Sequence, residues 1–202
     1  MPTNCFLIGA GGHAKVVLDA LNRLNQYNVT IWDDNLDLAG QTLLNLPIRT
    51  PVRFESLSGK GHIAIGDTQV RQKFTGKLKK AGLGCISVIH PDSIVANSSH
   101  IGEGCFIAAS AIVAPDSYLG TCVIVNHGAV VDHDCKVGDF SHIAPNATLG
   151  GNVHIGQRCL IGAGAVILPG IRIVDNVTIG AGAVVTSHIL KNGVVLYGVP
   201  AK

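Results

Sequence analysis

Aromatic residues make up only 4% of the 202 residues and charged residues only 14%, with no basic cluster and a formal net charge of just +2. That poverty of cationic and stacking side chains argues against a nucleic-acid-binding surface. There is no uninterrupted apolar run long enough to cross a bilayer, although 47% of the residues are hydrophobic, because glycines are scattered through them. The first residues, Met1 to Gly9, lack a basic segment followed by an apolar stretch and a small-residue cleavage site, which predicts the cytoplasm. Six cysteines are spread along the chain without a single CxxC pair, so reduced and mostly buried thiols are expected rather than a disulfide framework.

What is present is a repeat of six. From Ile89 to Val185, stepping by six through Val95, Ile101, Ile107 and onward, seventeen successive positions are branched aliphatics, and the pattern is read through to Leu190. The next residue is often glycine or alanine, as at Gly102, Ala108, Gly120 and Gly162, and the fifth place is small or aliphatic. This is the hexapeptide signature of a parallel β-helix in which three hexads close one triangular coil and the aliphatics stack as inward ladders. Glycine or alanine beside the ladder is expected to permit the tight corners. Cys105, Cys135 and Cys159 all fall at the fifth place and read as core filler. Long flat walls carrying residual apolar surface predict self-association.

The amino-terminal part is different. An apolar run from Asn4 to Ile8 ends in Gly9-Ala10-Gly11-Gly12-His13, after which Ala14, Val17, Leu18, Leu21 and Leu24 recur at helical spacing. A second apolar run, Val29 to Trp32, ends in Asp33 and Asp34. Gly9, Gly11 and Ala14 match GxGxxA, and with an acid after the second strand this is the layout of a first Rossmann βαβ unit that binds a nucleotide. A further strand at Ile63 to Ile65 runs into Gly66 and Asp67, and Asp67 or Thr68 could cap a helix carrying Val70, Phe74, Leu78 and Ala81. Lys15 reads as a surface residue. The repeat leaves room for only half a dinucleotide domain, which argues against a nicotinamide-dependent oxidoreductase. The domains are therefore 1–84, a Rossmann-like half domain of α/β type, and 85–202, the β-helix.

Chemistry concentrates in the middle of the repeat, from Val125 to Pro145, where His127, Asp132, His133, Asp134, Asp139 and His142 cluster without disturbing the ladder. Their side chains must point outward. Imidazole titrates near neutrality, so His133 can take a proton from an attacking nucleophile, and an adjacent carboxylate such as Asp134 can fix its tautomer. Neighbours on a flat strand face opposite ways, so that contact demands a corner of the coil. A zinc hydratase on the same scaffold would need three histidines converging on one metal, whereas His127 and His133 share one hexad place and His142 and His154 another. A purely structural solenoid would not need the polar cluster.

The stretches GAGGHAKVV from Gly9, AIGD at 64–67, DHD at 132–134 followed by GDFSHIAP, and GVPAK at 198–202 together resemble the sialic acid and bacillosamine acetyltransferases along essentially the whole chain. The resemblance implies a left-handed helix, against the usual right-handed crossover, a homotrimer, no metal and no membrane insertion. It implies acetyl-CoA-dependent acetylation of a UDP-linked 4-amino sugar by direct transfer, with O-acetylation of sialic acid as the alternative. It further implies that His133 is the general base and Asp134, in place of the commoner Glu, raises its basicity. His142 would contact acetyl-CoA, Ala163 and Ala181 would line the coenzyme, Asn126 would lie near the reacting centre, and Gly11, Gly12, His13, Asp33, Asp34 and Gly66 would hold the nucleotide sugar.

Overall fold

The computed structural model describes residues 2–202; Met1, where the segment read for a leader and the amino-terminal domain begin, lies outside the described residues. The first apolar run is β1 (Thr3–Ile8), the glycine loop leads into α1 (Gly12–Leu24), and the second run is β2 (Tyr27–Trp32). A hairpin that the apolar pattern did not announce follows, β3 (Thr42–Leu43) and β4 (Leu46–Arg49), turning through Leu44 and Asn45, both at positive φ as a two-residue turn between twisted strands requires. β5 (Lys60–Ile63) ends earlier than the strand expected at Ile63 to Ile65, so Ala64 and Ile65 belong to the loop before α2 (Thr68–Lys80).

The sheet runs β3-β4-β2-β1-β5, with every pair parallel except the hairpin. Because β2 lies on one side of β1 and β5 on the other, the strand order reverses beside β1. The carboxyl ends of β1 and β5 therefore open the crevice in which such sheets bind ligands. Asp67 caps α2, its Oδ1 accepting from the Val70 backbone N–H at 2.8 Å. The buried face of α2 is Arg71, Phe74 and Leu78, whereas Val70 is 40% exposed.

From Val88–Ile89 to Val184–Val185 the chain lays down a two-residue strand every six residues, and each as far as Val166–Ile167 pairs in parallel with the strand eighteen residues on. Three faces result, and the chain is a left-handed parallel β-helix with the α/β unit at its amino-terminal end. The first face carries Val88–Ile89, Phe106–Ile107, Ile124–Val125, His142–Ile143, Leu160–Ile161 and Thr178–Ile179; the second begins at Ile94–Val95 and the third at His100–Ile101. Ladder aliphatics from Ile107 to Val185 are buried and form one continuous core with the fifth-place residues. The α/β unit covers the first face, where Val88, Phe106 and Ile124 point outward into a cluster with α1 and β1.

Two expectations need correction. The tight corners are not made by the residue after the ladder but by the one two places further, where every sixth residue from Gly104 to Gly182 is left-handed, including Asp134, Phe140 and Cys122. The glycines beside the ladder serve close stacking instead: a Cβ at Gly102 would lie 2.5 Å from the Gly120 carbonyl oxygen, and one at Gly162 would lie 2.6 Å from the Ala181 nitrogen. The hexad rhythm also stops at Val185 rather than Leu190. Ile173 bridges to Ile189 and Thr178 pairs with Val195, so the last coil is short and Leu190 is 75% exposed.

Candidate active site

Gly9 sits at φ +110°, where a Cβ would meet the Ala64 carbonyl oxygen at 2.7 Å, so the loop can close on β5 only with glycine. Gly11, Gly12 and Gly66 have open space where a side chain would stand. Together with His13, Asp33, Ala64 and Ile65 they line a cleft of about 310 Å³. Gly11 gives α1 no side-chain cap, leaving the first-turn N–H groups free to meet an anion. Asp33 fixes the loop, its Oδ2 accepting from the Ala10 N–H at 2.8 Å. Asp34 faces the adjoining hollow beside Ile8, Val70 and Phe74, with Oδ1 accepting from the Val52 N–H and Oδ2 3.7 Å from Lys77 Nζ. Lys15 is exposed, as read.

The solenoid borders this region through His142. His142 follows Val88, Phe106 and Ile124 in the outward row of the first face, so it stands where the covered part of that face ends. Its Nε2 lies 3.1 Å from Asn126 Nδ2; the amide donates, so Nε2 is the unprotonated nitrogen. The backbone carbonyl of Gly66 lies near the ring. Burial and the nearby Arg71 cation lower its pKa to about 4, against the raising effect of that carbonyl. His13 packs edge-on against Phe106, 6.3 Å from the His142 ring centroid, and its buried Nε2 has no partner. Burial, then His62, His142, Arg71 and His127, depress its pKa to about 3. His62, which the sequence analysis did not single out, is buried below this cluster with Nδ1 3.0 Å from the Ile86 carbonyl, and burial lowers it to about 4.

His133 and Asp134 meet at a corner, as adjacency demanded, with Nδ1 2.7 Å from Asp134 Oδ2 and Asp134 in the left-handed conformation at φ 60°. The His133 backbone N–H donates to Asp132 Oδ1 at 2.8 Å. With Nδ1–H on the carboxylate, Nε2 keeps its lone pair on a ring that is 60% exposed. The hydrogen bond to Asp134, followed by the Asp132 charge, raises the imidazole pKa above its ordinary value. The ring rests on Gly151 one coil on, where a Cβ would collide with Nε2 and lie 2.5 Å from Cε1. Gly151→Ala is therefore expected to push the ring off its seat. Stability should change by no more than about 0.5 kcal/mol, since the ring end can swing into solvent, while turnover falls at least about tenfold. Native turnover alongside a native melting temperature would show that the seat is dispensable.

The structure thus brings Gly11, Gly12, His13, Asp33, Gly66, Asn126 and His142 together, with Asp34 next door. Ala163 and Ala181 lie exposed on the corner between the first and second faces, the same edge as Asn126 and His127. His133 and Asp134 do not join them within one protomer; they occupy the corner between the second and third faces. The cysteines take no part. Cys105, Cys135 and Cys159 are buried, each donating to a carbonyl fifteen residues on, and burial pushes their pKa values up to about 12, 11 and 11. Among the described residues no three His, Cys, Asp or Glu side chains converge as a metal-holding group, and no helix is long and apolar enough to cross a membrane.

Known proteins share both halves. Residues 4–78 match the PglD N-terminal domain and residues 152–187 the hexapeptide repeat of succinyl-transferase. Over 111 residues the chain is 33% identical to UDP-N-acetylbacillosamine N-acetyltransferase of Bacillus subtilis, a match that spans about half of each protein, 52% and 51%. The acetyltransferase domain of PglB from Neisseria gonorrhoeae superposes with a TM-score of 0.94 at 34% identity, covering 99% of this chain and 98% of that one. PerB from Caulobacter crescentus, solved in complex with CoA and GDP-perosamine, superposes at 0.90 with 37% identity, covering 98% and 96%. With an amino-terminal unit, a solenoid and a length that all correspond to these relatives, the chain belongs to the family of hexapeptide-repeat sugar acetyltransferases carrying a PglD-type amino-terminal domain.

Proposed function

We propose that the protein is an acetyl-CoA-dependent N-acetyltransferase acting on the amino group of a UDP-linked 4-amino sugar, in glycan biosynthesis. The observation that carries the reading is the His133–Asp134 pair at 2.7 Å, an imidazole with a fixed tautomer and a free lone pair on Nε2. Relatives named for sugar N-acetylation, and an acetyltransferase domain solved with acetyl coenzyme A, support the chemistry. The sugar amine attacks the thioester carbonyl, His133 Nε2 takes the amine proton, the new C–N bond forms as the C–S bond breaks, and the thiolate of CoA is reprotonated from the imidazolium. No covalent enzyme intermediate is needed, and much of the rate comes from holding two substrates in register.

In this reading residues 1–84 hold the nucleotide sugar through Gly11, Gly12, His13, Asp33, Asp34 and Gly66, with Asn126 near the reacting nitrogen. Residues 85–202 hold acetyl-CoA through His142, Ala163 and Ala181. The diphosphate faces the uncapped start of α1. The working unit is a homotrimer. Two features support it: the outward row of the second face is apolar but for Thr148, from Ile94 (64% exposed) through Ile112, Val130, Val166 and Val184, and His133 sits on a different edge from the cleft, so a second copy is needed to bring base and substrate together. Six unpaired cysteines fit a reducing compartment, the cytoplasm.

The test is release of CoA from acetyl-CoA across UDP- and GDP-linked 4-amino sugars, CMP-sialic acid and free sialic acid. Turnover with a UDP-4-amino sugar and none with either sialic acid is expected. Acetylation of a sialic acid hydroxyl alone would overturn the reading.

A further inference from the structure

Each two-residue strand of the solenoid turns its first side chain outward, and the three outward rows differ in chemistry. On the first face the row is Val88, Phe106, Ile124, His142, Leu160 and Thr178, and on the second it is apolar but for Thr148. In these rows lysine and arginine occur only on the third face, which reads His100, Tyr118, Lys136, His154 and Arg172. Its amino-terminal end is closed on itself, the His100 and Tyr118 rings stacking at 4.6 Å and 6°. Its carboxy-terminal end is cationic and open. Lys136 and Arg172 are exposed there, two strand spacings or about 10 Å apart.

An exposed cation is ordinarily a solvated group and no more. This pair differs in having no counter-charge. Four ion pairs occur among the described residues, and neither Lys136 nor Arg172 takes part in any. The carboxylates of the next corner, Asp139 and Asp175, are engaged by backbone, their Oδ1 atoms accepting from the Thr121 and Gln157 N–H groups at 2.8 Å. Like charges on one sheet face repel. His154 lies between the two cations; desolvation, then the Arg172 and Lys136 charges, lowers its pKa below the ordinary imidazole value, so it offers an N–H without adding to the repulsion. An anion laid along the row would be held by both cations.

Position says which anion. His133 stands on the corner between the second and third faces, whereas Asn126, Ala163 and Ala181 stand on the corner between the first and second. Where the His133 corner of one copy meets the Asn126 corner of the next, the faces opening away from the contact are the third of one and the first of the other. Rotation about an axis along the solenoids keeps each coil at its height. Lys136 is then level with Asn126, His154 with His142 and Arg172 with Ala163, the stretch along which the coenzyme runs from its reacting carbon.

We infer that the third face of each copy binds the phosphates of acetyl-CoA seated against the first face of its neighbour, through Lys136, His154 and above all Arg172, the cation furthest from the base. The inference rests on the proposed function, from which it takes the coenzyme and the trimer; nothing in that proposal assigns the third face a role.

The test is CoA affinity, measured by calorimetry without a sugar acceptor, in the native chain, Arg172→Gln and Arg172→Lys, with pantetheine as the phosphate-free comparison. The bonds Arg172 makes within the fold are those of its backbone, N–H to His188 Nδ1 and carbonyl from the Ile189 N–H, so both variants keep them. Arg172→Gln is expected to weaken CoA binding about tenfold or more, the worth of a charge-assisted hydrogen bond. Arg172→Lys should keep most of the affinity, and added salt should weaken native binding more than that of Arg172→Gln. The loss should vanish with pantetheine. Unchanged CoA affinity in folded Arg172→Gln, or an equal loss for CoA and pantetheine, overturns the inference. A native chain that binds no CoA overturns it together with the proposed function. One that binds CoA through Arg172 yet acetylates no sugar upholds the inference and counts against the proposed acceptor alone.

Discussion

His133→Ala is expected to lower turnover by about 10²-fold or more, the usual worth of a positioned general base, with the melting temperature unchanged. The ring is 60% exposed and its polar contact is Asp134 Oδ2, while the backbone bonds of His133, its N–H to Asp132 Oδ1 and its carbonyl from the Asn152 N–H, are kept by alanine. The ladder residues on either side, Val131 and Val137, are buried and untouched by the substitution. A loss smaller than the full catalytic factor has a physical reason, since an unprotonated amine is already nucleophilic and the acetyl donor stays bound. Release of CoA under saturating substrates measures the effect. A rate within about threefold of native would remove His133 from the mechanism.

The second large effect is acid destabilisation of the contact between the two halves. His13, His62 and His142 surround the seam and are held neutral by burial, with pKa values near 3, 4 and 4. Arg71 is the charged group facing them, and its charge opposes theirs. In the unfolded chain each returns to about 6.5. Below that value the unfolded state takes up protons that the folded state refuses, so the stability is complete above about pH 6.5 and is lost as the pH falls. Each histidine contributes at most about 1.4 kcal/mol per pH unit between those limits, about 4 kcal/mol per unit for three, a large share of the 5–15 kcal/mol typical of a whole domain. Melting curves from pH 7 to pH 4 should fall steeply, with the α/β unit losing structure before the solenoid, whose buried ladder carries no titrating histidine. A melting temperature flat across that range would contradict the assignment of the three rings as buried and neutral.

Much of this was legible in the residues alone, for reasons that differ from element to element. Branched aliphatics at a spacing of six can bury only on the inside of a triangular coil, so the ladder was readable, and the GxGxxA turn with an acid after the second apolar run announced a first βαβ unit. The left-handed corners were harder to read, because that place, though mostly glycine, asparagine or aspartate, also holds Cys122, Phe140 and Arg158; neighbouring coils over-determine the backbone there. Arg71 was missed because a pattern search assigns the apolar face of α2 to Val70, Phe74, Leu78 and Ala81, and a cation buried on the backbone carbonyls of Ile65, Gly66 and Cys122 leaves no sequence mark. His62 had one faint signal: it sits between Gly61, where a side chain would strike the Phe6 ring, and the buried Ile63. His133 and Asp134 were chosen correctly as a contacting pair, but that they lie on a different edge from Asn126 and His142 follows from counting coils in three dimensions.

The central claim, that a carboxylate-backed imidazole accepts the amine proton, is tested most directly by the pH dependence of kcat/KM in the native chain and in Asp134→Asn. Asparagine tolerates the left-handed corner, so the fold survives the change. Since Asp134 raises the His133 pKa and only the neutral ring can act as base, native activity should climb with pH through a midpoint above the ordinary imidazole value. In Asp134→Asn that midpoint should move to lower pH and the plateau should drop. An acid limb that stays in place when the carboxylate is removed would contradict the claim.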